Sequence, residues 1–420
     1  MTNSAEQRVI ASERAAGEWS DVERVRQSPS ERSRAVEAGP RGPFDVGWRA
    51  ERERAQEEAL PSGRAVVSCS TPLGVGGLGR HLQETLDALA RRGAAGVCIC
   101  DPSPRGDGEI GVSPLNRSRR AAGTGALFAA IAPLARRSPA WSAWAANVAF
   151  DLDAARRLPT AAAEHLIAFN GSALLQLRAA RRARMQSLSL MSANSHLRRV
   201  VRMYALAHRQ YPLERPWATR LLRRNLAEYA LADRIYVSSA HAWGSFVEEG
   251  VPEERLALFP LTPAPRFVPD AGARGATSSF DIVYTGSLSG AKGVPLLIDA
   301  VRRLPHPDLR LVLAGGWGTR GMRRFVQRAC AQDARIVVRP GDPLAHLQRA
   351  AVYVHPSYED GFGYAPVEAL ACGVPAIVSA NTGMRELIEP GRNGLVVPTG
   401  DLDALTQALD AAYRGEAFGG

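Results

Sequence analysis

Residues 351–378 read AVYVHPSYEDGFGYAPVEALACGVPAIV. The apolar opening Ala351–Val354 predicts a buried strand, and the glycine-bearing stretch after it predicts a loop. Pro366–Cys372 predicts a helix, since proline suits a first turn whose N–H groups have no partner. Pro375–Val378 predicts the next strand. Strand, glycine loop, helix and strand make a parallel-sheet unit whose loop lies at the carboxyl edge, where open α/β sheets bind ligands. Gly361 and Gly363 allow backbone N–H groups to approach a ligand closely. The helix start, with free N–H groups and a positive dipole end, attracts a diphosphate. Glu368 can accept both hydroxyls of a ribose, and Asp360 can accept those of a sugar. Taken singly, each residue is explained as well by a chain turn or a carboxylate that favours the helix dipole.

The same alternation continues outward. Phe280–Tyr284, Leu309–Ala314 and Arg335–Val338 predict strands. Helices are predicted over Val294–Arg303, Arg320–Gln332 and Pro343–Ala350, and Asp401–Tyr413 predicts a closing helix. Upstream, the apolar run Arg64–Ser70 leads into Thr71-Pro-Leu-Gly-Val-Gly-Gly-Leu-Gly. Leu82, Leu86 and Leu89 follow at helical spacing, then a stop at Gly93 and a strand over Gly96–Cys100. His165–Phe169, Ser187–Met191 and Arg234–Ser238 add strands, and Leu197–Leu231 predicts a long Arg-rich helical section. Pro260, Pro263, Pro265 and Pro269, followed by the small-residue stretch 271–279, predict a linker. Three parts follow. Residues 1–60 are a disordered or loosely helical extension rich in Arg, Glu, Ser and Ala. Residues 61–265 and 266–420 are two Rossmann-like α/β domains facing a cleft.

Composition narrows the function classes. At 420 residues with 45% apolar side chains, the chain can bury two or three globular cores. Five cysteines, with no C-x-x-C, exclude a disulfide framework and suit a reducing cytoplasm. The net charge of +10 favours an anionic partner, whether nucleic acid, acidic lipid or a phosphorylated substrate. No nucleic-acid-binding module is recognisable, and the polar, charged first residues predict no signal peptide. Ala121–Ala135, the most apolar stretch, is too short to span a bilayer. Arg119, Arg120, Arg136, Arg137, Trp141 and Trp144 surround it. That pattern fits an amphipathic helix with a wet arginine face, or a peripheral dock on an anionic membrane. Lys292 is the one lysine in the chain. Either a surface lysine has survived by chance, or a compact ammonium is required where a planar guanidinium would not fit.

Residues 360–375 resemble the E-G-F-G-x-x-x-x-E-A-x-A-x-G-x-P pattern of a large retaining glycosyltransferase family. That family, glycosyl transferases group 1, includes glycogen and sucrose synthases and bacterial glycan-assembly enzymes. Asp360, Gly361, Phe362 and Gly363 match its start and Tyr364 follows. Glu368, Ala369, Ala371, Gly373 and Pro375 match the remainder. Thr285–Gly293 resembles the family's G-R-L-x-x-x-K-G loop, whose Arg and Lys hold the donor diphosphate. Lys292 and Gly293 fit it, whereas Ser287 stands at the arginine position. Thr71–Gly93 resembles the amino-terminal glycine loop, with Gly76 and Gly77 bordering the donor phosphates.

The resemblance implies a GT-B fold. It also implies retaining transfer of a hexose from a nucleoside diphosphate sugar to a hydroxyl of a glycan, lipid-linked or small-molecule acceptor. Neither metal nor cofactor is implied, nor is nucleic acid a partner. Lys292 would steady the leaving phosphate together with the Gly361–Tyr364 loop, Asp360 would act beside it, and Ser287 and Glu368 would line the donor site. The family's amino-terminal catalytic histidine has its best counterpart in His196, whose alternative role is a helix cap. The expected location is cytoplasmic, with membrane association as an option. Ser287, and a tail shorter than the family's, also fit a second class: a nucleotide-sugar-binding or scaffold protein with weakened catalysis. An NAD-dependent enzyme fits poorly, because Asp101 is followed at once by Pro102 and does not supply the ribose-binding acid at the proper distance.

Overall fold

A computed structural model describes residues 46–100, 116–118, 139–214, 218–270, 272–273 and 279–418. Two parallel sheets organise them. The first has seven strands: β1 (Ala65–Cys69), β2 (Gly96–Cys100), β3 (Asn116–Ser118), β4 (His165–Phe169), β5 (Ser187–Ser192), β6 (Arg234–Val237) and β7 (Leu256–Leu258). Their order is β3-β2-β1-β4-β5-β6-β7. The second has six: β8 (Phe280–Thr285), β9 (Leu309–Ala314), β10 (Ile336–Val338), β11 (Val352–His355), β12 (Ala376–Ser379) and β13 (Gly394–Val397), ordered β10-β9-β8-β11-β12-β13. The chain therefore reverses its winding between β1 and β4, where Ala65 pairs with both Gly96 and His165. It reverses again between β8 and β11, where Val352 pairs with Ile282. Such switch points open a crevice at the carboxyl edge of the strands.

Strands buried on both faces need continuous apolar runs, and β1 and β11 are buried along their whole lengths. Helix α1 (Val46–Ala59) precedes β1, and Gln56 on it is buried. Helix α2 (Gly76–Arg91) buries Leu82, Leu86 and Leu89, the stripe its spacing predicts. One apolar cluster joins Leu82 and Leu86 of α2 to Val367 and Leu370 of helix α11 (Tyr364–Ala371), so the sheets meet through packed helices.

The Arg-rich section is two helices rather than one, Leu197–Gln210 and Leu222–Leu231. The first ends two residues before Pro212, which cannot donate to a helical ladder. Strands β3 and β7 are three residues each, too short for their alternation to register in the sequence. Arg119, Arg120, Arg136, Arg137 and the Ala121–Ala135 stretch lie outside the described residues, as does the side chain of Trp141. Trp144 packs against the first sheet's core. Among the described residues, no helix is long and apolar enough to cross a membrane.

Candidate active site between the two sheets

Two loops of the second sheet create the centre. Gly293 has a φ of +71°, and a Cβ there would collide with the Pro356 carbonyl, so only glycine lets the loops after β8 and β11 touch. The contact sets Lys292 Nζ 2.5 Å from Asp360 Oδ2, and His355 Nε2 lies 3.0 Å from the same oxygen. Burial alone would raise the Asp360 carboxyl. The Lys292 ammonium and His355 outweigh it and hold the carboxyl well below the usual range. Burial would lower Lys292, and Asp360 reverses that too, leaving the ammonium more firmly protonated than in water. Burial lowers His355 despite its carboxylate neighbour. A neutral imidazole donating from Nε2 to Asp360 fits this arrangement, the tautomer being assigned from the acceptor it faces.

Glu368 lies eight residues further on and is met from the other sheet. Arg80 of α2 donates from Nη1 to Glu368 Oε1. The same guanidinium stacks over the Tyr364 ring, 4.2 Å from its centroid. One turn along α2, Glu84 accepts from the Tyr364 hydroxyl at 2.8 Å. Its second oxygen accepts from Gln56 Nε2 at 3.0 Å and from Thr262 N at 3.0 Å. Gly77 belongs to this wall, since a Cβ on it would reach Tyr364 Cδ2 at 3.5 Å. Gly76 is exposed beside it at the helix start.

The glycine loop between the two carboxylates is pressed against the first sheet. A Cβ on Gly361 would sit 2.8 Å from Asn194 Cα, and Ser239 Oγ donates to the Gly361 carbonyl. Phe362 is buried and meets Tyr364 edge-on at 5.7 Å. Gly363 caps α11 in a left-handed conformation.

Comparison with known proteins bears on the second sheet and on the fold. Residues 274–417 match the family model described as glycosyl transferases group 1. The match takes in strands β8 to β13, the whole of the second sheet. A D-inositol 3-phosphate glycosyltransferase of Pseudarthrobacter chlorophenolicus is 27% identical over 46% of this chain and 50% of its own length. The chain thus spans about half the length of the curated relatives it matches. Among solved structures, sucrose-phosphate synthase from Thermosynechococcus elongatus superposes with a TM-score of 0.63 at 20% identity, covering 85% of this chain and 90% of that one. Anabaena HepE in complex with UDP gives 0.58 at 17% identity, covering 84% and 90%. At these identities the likeness establishes the fold, which is GT-B.

The structure brings together Lys292, Asp360, Gly361, Phe362, Gly363, Tyr364, Glu368 and Gly77. Ser287 is exposed at the edge of the Lys292 loop, and its carbonyl accepts from the Tyr284 hydroxyl at 2.7 Å. His196 lies elsewhere. It caps the Leu197–Gln210 helix, its Nδ1 accepting from Arg198 N, and its ring is enclosed by Tyr229 and Phe246 at 4.9 and 5.1 Å. Burial pushes it down to about 4, so it is uncharged at neutral pH. Among the described residues, no three His, Cys, Asp or Glu side chains are grouped to share a metal ion.

Sequence reasoning passed over four residues of this candidate site. Arg80 and Glu84 are two. Glu359 is a third, and it points away from Asp360 into the first sheet. There it accepts from Ser195 Oγ at 2.6 Å and Arg199 Nε at 3.1 Å, and pairs with His241 Nε2 at 3.1 Å. Glu214 is the fourth, accepting the Gly290 N–H at 2.6 Å on the Lys292 loop. One signal was available: Glu359 and Asp360 are adjacent carboxylates, and neighbouring residues in an extended loop cannot both face one site.

Proposed function

We propose that the protein transfers a hexose from a nucleoside diphosphate sugar to a hydroxyl acceptor with retention of configuration. The observation that carries this reading is the Lys292–Asp360–His355 cluster, a firmly protonated ammonium held in the loops that follow β8 and β11. A compact, oriented cation there stabilises charge that builds on a departing phosphate. Asp360 orients the ammonium and is free to accept sugar hydroxyls on its other oxygen. Glu368 takes the ribose hydroxyls, while Gly76, Gly77 and the Gly361–Tyr364 loop line the diphosphate from opposite sides.

The acceptor oxygen bonds to the anomeric carbon on the face from which the diphosphate leaves, as the carbon–oxygen bond to phosphate breaks. The acceptor's proton passes to the departing phosphate oxygen, so no protein nucleophile is required. His196, neutral and enclosed, takes part only by capping its helix. The acceptor is a glycan, a lipid-linked glycan or a small molecule, met in the cytoplasm or at a membrane surface.

Incubating the protein with UDP-, GDP-, ADP-, dTDP- and CDP-sugars and following nucleotide release tests the proposal. Release that rises with an added hydroxyl acceptor supports it, and α-to-α transfer by NMR supports retention. The exposed, neutral Ser287 favours one competing reading, a nucleotide-sugar-binding protein without turnover. Binding of a donor with no release under any acceptor would establish that reading instead.

A further inference from the structure

A sugar diphosphate carries two negative charges, and the Lys292 loop offers one cation already engaged with Asp360. Position 287 of that loop is an exposed serine. A second positive charge stands on the opposite wall. Arg80 lies one turn into α2, just after Gly76 and Gly77, with its side chain 22% exposed beside a Glu368 side chain that is 7% exposed. Its guanidinium has one edge on Glu368 and one face on Tyr364, which leaves further N–H donors for another acceptor.

We propose that Arg80 is a donor-binding residue, trading Glu368 for the donor diphosphate when ribose hydroxyls occupy that carboxylate. This rests on the nucleotide-sugar reading above. The exchange leaves no ion bare: Glu368 gives up one cation and gains two hydroxyl donors, while Arg80 gives up one carboxylate and gains phosphate oxygens in the forked geometry it suits. Without donor, the Arg80–Glu368 pair keeps both charges satisfied, which a half-buried guanidinium and a buried carboxylate require. Tyr364 supplies a fixed pivot, because its hydroxyl is tied to Glu84 and its ring stays under the guanidinium in either position.

Calorimetric titration of the full chain and of Arg80→Ala with UDP, GDP and ADP, and with the matching nucleosides, tests this. Arg80→Gln serves if the alanine variant loses its far-UV circular dichroism. The expected result is selective: diphosphate affinity falls about ten- to hundred-fold, the loss of a charge-assisted contact. Nucleoside affinity holds or rises, since Glu368 is released. Equal losses for diphosphate and nucleoside would make Arg80 a tie between the sheets and overturn the proposal, as would no loss at all. A wild-type protein that binds none of the panel would instead overturn the nucleotide-sugar reading, and the role of Arg80 with it.

Discussion

Asp360 opens the glycine loop, Glu368 lies one turn into the helix that follows it, and the two are satisfied from opposite directions. The partners of Asp360, Lys292 and His355, come from the same sheet as itself, fastened by the Gly293–Pro356 contact. The partner of Glu368, Arg80, comes from the other sheet, and so do those of Glu359. The first cluster draws its ion partners from one sheet alone, while the other two exist only when the sheets are apposed. On the proposed function, charge stabilisation is thus built into one sheet, and donor capture is divided between both.

The largest test strikes the self-contained cluster. Lys292→Ala should reduce kcat by about 10²–10³-fold, the usual effect of removing one oriented electrostatic group, with circular dichroism unchanged. Full turnover in that variant would remove the cluster from the chemistry. Next comes the cross-sheet clamp. Glu359→Ala takes the carboxylate from Ser195 and His241 and leaves Arg199 with Glu248 and Asn381 alone, and should lower unfolding free energy in urea by about 2 kcal/mol. A change within error would mean that the apposed state contributes little to stability.

Acid separates the two regions by sign. Lys292 and His355 depress the Asp360 carboxyl, so its contribution is complete above its unfolded value near 4 and is lost as pH falls below that. Burial raises Glu84, on the cross-sheet wall, despite its hydrogen bonds to Tyr364 and Thr262. Its ionised form therefore weakens the fold, and acidification through its folded pKa toward 4.5 relieves that strain. The stability gap between wild type and Asp360→Asn should shrink below pH 4, while the gap to Glu84→Gln should widen as pH falls toward 4.5. Urea midpoints measured across pH 3–7 check both, and gaps moving the same way would contradict the assignment. The smallest effect is that of Tyr364→Phe, which removes one hydrogen bond to Glu84 and should cost about 1 kcal/mol.

The legibility of the chain follows the same division. The strand–loop–helix alternation after Phe280 and the two motifs that hold Lys292 and Asp360 were readable, because each depends on a local pattern carried by one sheet, whereas the ion pair between them was not. Gly361 read as a residue that lets the backbone approach a ligand, and the structure sets it against the Asn194 backbone instead. Arg80 was unreadable among so many arginines on helices, since an exposed face and a cleft-facing one have the same periodicity. Its partner is 288 residues away along the chain. His196 shows the converse, a histidine next to a strand end that folding turned into a cap among aromatic rings.

Helix α1 carries a practical consequence. Gln56 bridges Glu84 and the Pro260 carbonyl, Arg49 donates to the Pro263 carbonyl, and Leu60 is sealed in the apolar cluster shared with α2. A chain shortened to begin at residue 61, where the strand pattern starts, would leave Glu84 with one donor fewer and open the back of the wall that holds Tyr364. Any truncation series meant to isolate the two sheets should therefore keep Val46 onward, since the Tyr364 wall of the candidate site is braced from behind by a helix far upstream.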